Sequence, residues 1–239
     1  MFSQITTTDA TINYTITTLK QTLGTSGRLD SEYYQSKYEK NEAVIKSKSY
    51  IKLGDIVTIK KSIEPGSEAY RDSGIPFVRV SNLSPFGISQ SEVFLDSKDF
   101  KKGELESLYP KKNTILLSKD GSVGISYCVE KDLECITSGA ILHLHINDKS
   151  IVLPQYLALI LNSLPTKLQA QRDSGGSIIA HWKIEEIKNI LIPLLNTNVQ
   201  KEIESKIIQS FALRTKSKNL LENDKIKVEN TINNSLNFK

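Results

Sequence analysis

The chain has 239 residues, 38% hydrophobic and 24% charged, with a mean hydropathy of −0.27. That is enough to bury a sizeable core without disulfide or metal staples, and the longest apolar run, Tyr156 to Leu161, is far too short to span a bilayer. The net charge of +4 is mild, and residues 51–198 balance to zero, so no domain-wide basic field announces nucleic acid.

Met1-Phe2-Ser3-Gln4 lacks the basic start and apolar core of a secretory signal, which makes the cytoplasm the expected location. Two cysteines, Cys128 and Cys135, are expected there as reduced thiols. Zinc would need a further Cys/His pair at short spacing, which is lacking.

In chain order, alternation at Ile12, Tyr14, Ile16 and Thr18 predicts a strand closed by Gly24 and Gly27. Arg28 to Tyr34 predicts a helix start capped by Asp30 or Ser31, with Tyr33, Tyr34 and Tyr38 as a packing stripe. A strand entered through a turn follows at Ile51–Val57, then a short β-rich run around Gly74–Val80 and strands at Phe94–Leu95, Thr114–Leu117, Ile125–Val129 and Ile141–Ile146. Pro154 opens a helix to Leu161, Pro165 interrupts it, and a second helix covers Thr166 to Gln171. The middle is therefore β-rich, with its helices late.

From Val199 to Asn234 no glycine or proline occurs, and Asn196, Thr197 and Asn198 offer N-caps. Such a helix spans about 50 Å. Ile203, Ile207, Leu221 and Val228 recur near a helical seam that Ser210, Arg214, Ser217 and Asp224 interrupt. Period alone leaves open whether the helix protrudes toward a partner or folds back onto its own domain.

Catalytic signatures are missing: no G-x-S-x-G, no H-E-x-x-H, no Walker ending after Gly121, no methyltransferase tetrapeptide and no carboxylate cluster of nuclease spacing. His143 and His145 share one strand face, but without a third ligand they read as a strand-face or core pair. The Ser174-Gly175-Gly176-Ser177 loop beside His181-Trp182 can bring backbone amides and hydroxyls close to a phosphate. A plain connector with Trp182 in the core is the bland alternative. The lysine pairs Lys60-Lys61, Lys101-Lys102 and Lys111-Lys112 are equally compatible with solvated surface.

Taken together, these segments resemble one family. Ser118-Lys119-Asp120-Gly121-Ser122-Val123-Gly124 is similar to the S-R-D-G-T-x-G turn of type I restriction–modification specificity subunits. The Ser174–Ser177 loop and the following Ile187-Lys188-Asn189-Ile190-Leu191-Ile192-Pro193-Leu194 resemble their S-G-[ST] loop and I-P-[IL]-P-P strand, and Val199-Gln200-Lys201-Glu202-Ile203 resembles the entry to their spacer helix. Leu53-Gly54-Asp55-Ile56 and Pro76 to Leu83 fit the opening strands. Two departures stand out: Leu195-Asn196 replace a second proline and its neighbour, and Lys119 replaces an arginine, keeping the charge but losing the bidentate fork.

The resemblance implies an α+β fold: a leader over residues 1–50, a β-rich mixed target-recognition domain over 51–198, and a long C-terminal coiled-coil spacer helix over 199–239. It implies a non-catalytic subunit that needs no cofactor and binds half of a split double-stranded DNA site. Methyltransferase subunits, and motor-nuclease subunits where the host has them, would supply the chemistry. Full subunits carry two such domains, so this chain looks like a half-subunit that pairs as an antiparallel homodimer through Ile203, Ile207, Leu221 and Val228. The half-sites would then lie about 15 base pairs apart in an interrupted palindrome. The DNA-contact candidates are Lys60, Arg71, Arg79, Asn82, Lys101, Lys102, Lys119, Ser122, Arg172, Ser177 and His181, with Arg and Asn suited to base edges and Lys and Ser to phosphate. The competing expectation is a truncated regulatory protein that binds methyltransferase subunits and directs nothing.

Overall fold

The computed structural model describes residues 16–25, 27–101, 103–175 and 180–236. A leader carries two helices, α1 (Leu19–Thr25) and α2 (Ser36–Lys46). The strand β1 (Tyr50–Lys52), the single helical turn α3 (Leu53–Ile56) and β2 (Val57–Lys61) follow directly. Next come β3 (Ile75–Val78), the hairpin β4 (Leu83–Ser84) and β5 (Gly87–Ile88), β6 (Phe94–Leu95) and α4 (Glu104–Leu108). The strands β7 (Ile115–Ser118), β8 (Ser126–Cys128), β9 (Ile136–Thr137) and β10 (Ile141–Ile146) lead to α5 (Pro154–Leu161) and α6 (Leu164–Ser174). The chain ends with α7 (Ile184–Lys188), β11 (Leu191–Pro193) and α8 (Thr197–Leu236).

The centre is a four-stranded antiparallel sheet in the order β2-β10-β7-β8, with His143 opposite Lys60 on one side and Leu116 on the other. A second sheet, β6-β3-β9, joins β3 to β9 in parallel, and β1 pairs with β11. The main core lies between the central sheet and α5, where Leu53, Ile115, Leu117, Leu142, Tyr156 and Trp182 are fully buried. Burying a side chain of this size contributes roughly 1.5–3 kcal/mol each.

Pro154 sits in the first turn of α5, where its missing N–H costs nothing. The break before α6 falls at Asn162 rather than at Pro165. Asn162 Nδ2 donates to the carbonyls of Ser126 (2.6 Å) and Ala158 (2.9 Å), while its Oδ1 accepts from Ser126 N. Pro165 then serves in the first turn of α6.

Three expectations are corrected. Ile12 and Tyr14 lie outside the described residues, but Ile16 and Thr18 form no strand and α1 begins at Leu19. A strand there would have no neighbour to complete its ladder. Arg28 to Tyr34 forms a turn, not a helix start, because Arg28 pairs with Asp30 and reaches across to α6; the helix begins at Ser36. Lastly, Ile51–Val57 is not one strand. The α3 turn divides it, and Gly54 passes so close to α7 that a Cβ there would lie 2.9 Å from Lys188 Cβ.

Asn196 caps α8 by accepting Val199 N at 3.0 Å. At about 60 Å the helix outreaches its domain. Ile203, Ile207 and Phe211 are half-buried, whereas residues 212–233 are all exposed. The two readings of the tail therefore divide the helix between them: its first turns rest on the domain, Arg214 reaches back over Phe86, and the remainder is exposed.

Candidate nucleic-acid interface

The turn after β7 is closed by its own first residue. Ser118 Oγ donates to Ser122 O at 2.6 Å and accepts from Ile125 N at 2.9 Å. Gly121 and Gly124 take positive φ, +68° and +84°, as a turn this tight requires. The segment 180–182 runs beside the turn: Gly121 N donates to Ala180 O, Trp182 N donates to Lys119 O, and Asp120 bridges His181.

Anchored by the buried Trp182, this pairing puts three polar side chains in contact. Lys119 Nζ meets one carboxylate oxygen of Asp120 and His181 Nδ1 meets the other. The Lys119 side chain is 12% exposed and that of His181 is 58% exposed. Lys119 is therefore committed to Asp120, and His181 and Ser122 face solvent.

A cleft of 760 Å³ opens beside His181, walled by the leader and the end of α6. Arg28 donates to the carbonyls of Arg172, Asp173 and Gly175, three acceptors at the C-terminus of α6. Arg172 pairs with Glu42 at 2.9 Å and with Asp173, and both arginines stack on Tyr33. Burial works against the Arg172 charge, but Asp173 and Glu42 outweigh it and raise its pKa. Burial also pushes the Asp173 carboxyl up to about 6, against the pull of Arg172. The Arg172 guanidinium is thus spent within the protein.

The remaining candidates are distributed over other elements. Asn82 accepts Arg79 N through its Oδ1 and donates to Gln90 O, so it shapes the turn after β3. Arg79 is half-buried, and its Nε is enclosed without a protein acceptor. Lys60 donates to Ser107 O and Lys101 N donates to Glu104, so these two lysines flank α4. Arg71 is exposed beside Phe94, bonded to the carbonyls of Glu68 and Tyr70. Lys102 and Ser177 lie outside the described residues.

The structure brings Lys119, Ser122 and His181 together, sets Arg172 in the cleft beside His181, and leaves the other described candidates elsewhere. Two residues that complete the site, Arg28 and Asp120, escaped selection. Asp120 stood inside the turn motif, whereas the contact of Arg28 with Asp173 spans 145 positions and leaves no local trace.

The histidine pair on β10 is structural. His143 is buried, its Nε2 sits 2.8 Å from Thr137 Oγ1, and burial pushes the imidazole down to about 4. Among the described residues no group of three His, Cys, Asp or Glu is placed to hold a metal, and no helix is long and apolar enough to cross a membrane. Cys128 and Cys135 are unpaired and buried, and burial raises both thiols, to about 12 and about 11.

Against known proteins, the model of the type I restriction modification DNA specificity domain matches residues 45–229. No curated protein matches the sequence. Among solved structures, the fold is similar to the S subunit of a type I restriction–modification system from M. genitalium, with a TM-score of 0.51 and 16% identity over 70% of this chain and 40% of that one. It is also similar to a chain from a type I system solved to explain complex assembly and conformational transition, with a TM-score of 0.51 and 15% identity over 76% of this chain and 47% of that one. A type IIG restriction endonuclease, BpuSI, gives a TM-score of 0.54 and 13% identity over 79% of this chain and 30% of that one. The chain thus spans less than half the length of these three.

Proposed function

The chain belongs to the family of type I restriction modification DNA specificity domains, and on that premise we propose that it reads one half of a bipartite DNA site for separate methyltransferase subunits. It performs no chemistry of its own. The observation that carries the reading is the division of α8: its root is packed on a mixed β-domain of the S-subunit fold, and residues 212–233 are exposed.

A lone helix with so broken an apolar seam is marginal in water, so its exposed Leu221 and Val228 call for a partner surface. A second copy running antiparallel supplies one and sets two reading domains at opposite ends. Half-site centres on the order of 15 base pairs apart follow from the helical rise.

Within the domain, His181 and Ser122 reach the backbone or groove at one place and Arg79 at another. Lys60, Arg71 and Lys101 provide the surrounding phosphate contacts. Methyltransferase subunits dock along the helices, and motor-nuclease subunits join where the host encodes them.

Co-expression with a cognate methyltransferase subunit, followed by mapping of methylated bases, tests the proposal. A split palindromic motif supports it. Methyltransferase binding without any directed methylation favours the regulatory alternative.

A further inference from the structure

Two side-chain contacts at separated points tie the helix α8 to its own domain. The first is its root. Gln200 is 1% exposed; its Oε1 accepts Leu153 N at 2.9 Å and its Nε2 donates to the carbonyls of Ile151 and Leu195. The second lies fourteen positions on, where the Arg214 guanidinium sits 4.4 Å over the ring centroid of Phe86. Between them Ile203 packs against the main core, and a largely apolar groove of 570 Å³ is lined by Ile203, Ile207 and Phe211 on the helix and by Leu159 and Pro85 on the domain.

Phe86 is held out on a stiff support. Leu83 roots the β4–β5 hairpin in the core, Ser84 Oγ donates to Gly87 O at 2.9 Å, Phe86 N donates back to Ser84 Oγ, and Gly87 takes a φ of +134°. A ring this exposed, at 57%, is not there to fill the core. It presents its face to a cation on the helix.

A rod fixed only at its root pivots. Over the 36 residues from Gln200 to Leu236, a tilt of about 10° would move the far end by about 9 Å, nearly three base-pair steps. We propose that Phe86 and Arg214 form a brace that fixes the angle between the reading domain and the spacer helix, and so the separation at which a second domain meets its half-site. The second clause rests on the bipartite reading above; the first does not.

Distance measurement between spin labels tests the brace directly. Labels are placed at K98C and N230C of the full chain, which is diluted with excess unlabelled chain so that only distances within one copy are read. The unsubstituted pair is expected to give a narrow distribution. F86L, which keeps apolar bulk but loses the ring face, and R214A should both broaden it, whereas F86W should keep it narrow. Identical distributions in all four overturn the brace, and so does a narrow F86L, since bulk alone would then suffice.

In the methyltransferase complex, F86L should relax discrimination against sites with one base pair more or less in the gap by roughly two- to fivefold, the bias an exposed cation–ring pair supports. Unchanged discrimination together with a broadened distribution overturns the spacing role. If the unsubstituted chain directs methylation to no split site at all, the bipartite reading falls, and the label distances alone decide the brace.

Discussion

Arg28 Nη2 donates to the carbonyl of Gly175 at 2.9 Å, across 147 positions of sequence. Through this bond and its neighbours to Arg172 and Asp173, a leader that precedes most of the matched family region closes the end of α6. Arg28→Ala strips three carbonyls and Asp30 of their shared donor. The expected loss is about 2–4 kcal/mol, read as a lower denaturant midpoint at unchanged slope. Arg28→Lys should recover little, because one ammonium cannot reproduce a planar fork. Full recovery by lysine would contradict the geometry.

The buried imidazole of His143 gives stability a defined pH dependence. Its pKa is held near 4 by burial, with the charges of His145 and Lys60 adding to the effect. The unfolded chain binds a proton there near pH 6.5, so stability is full above that value and falls as the pH drops toward 4. The contribution reaches on the order of 3 kcal/mol. Denaturation of wild type and His143→Gln at pH 7 and pH 4.5 checks it. The difference between the two proteins should shrink or reverse at the lower pH, and a constant difference would count against the buried neutral ring.

Gln200 is the pin of the spacer helix. Gln200→Leu leaves Leu153 N and two carbonyls without their partner at a site with almost no solvent access. A cost of about 2–4 kcal/mol follows, concentrated at the junction. Amide exchange should accelerate first over residues 199–206 and 151–153, while β10 keeps its protection. Uniform acceleration throughout would mean that the junction is not a separate unit.

Asp120 neutralises Lys119 and touches His181. Asp120→Asn removes the carboxylate that holds Lys119 and touches His181. DNA binding at low salt should tighten, and the log–log salt slope should steepen by up to about 1. An unchanged slope would place this cluster away from the DNA.

The legible part of the fold was the part governed by local rules. Pro154 placed the start of α5 to the residue, the Ile141–Ile146 run gave β10, and Asn196 gave the cap of α8. What stayed hidden depends on partners distant in sequence. Leu53–Ile56 carries strand-like apolar residues, yet it turns because Gly54 must pass Lys188. Arg28 reads as part of a helix start and Arg172 as a DNA-contact candidate, and only the folded chain shows both stacked on Tyr33 with their charge consumed. Charge counts therefore overstated the cations free to meet DNA. The motif around Lys119 was visible, but its pairing with His181 needed the loop to close.

The helix as a ruler is most directly tested by lengthening it. Seven residues of helix-forming sequence inserted between Asn219 and Leu220, beyond every contact described with the domain, nearly preserve the helical phase and add about 10 Å. Methylated sites are then mapped for the native and lengthened chains beside the same methyltransferase subunit. The account predicts unchanged half-sites and a gap that lengthens, by at most about three base pairs. An unchanged gap with methylation intact would contradict it.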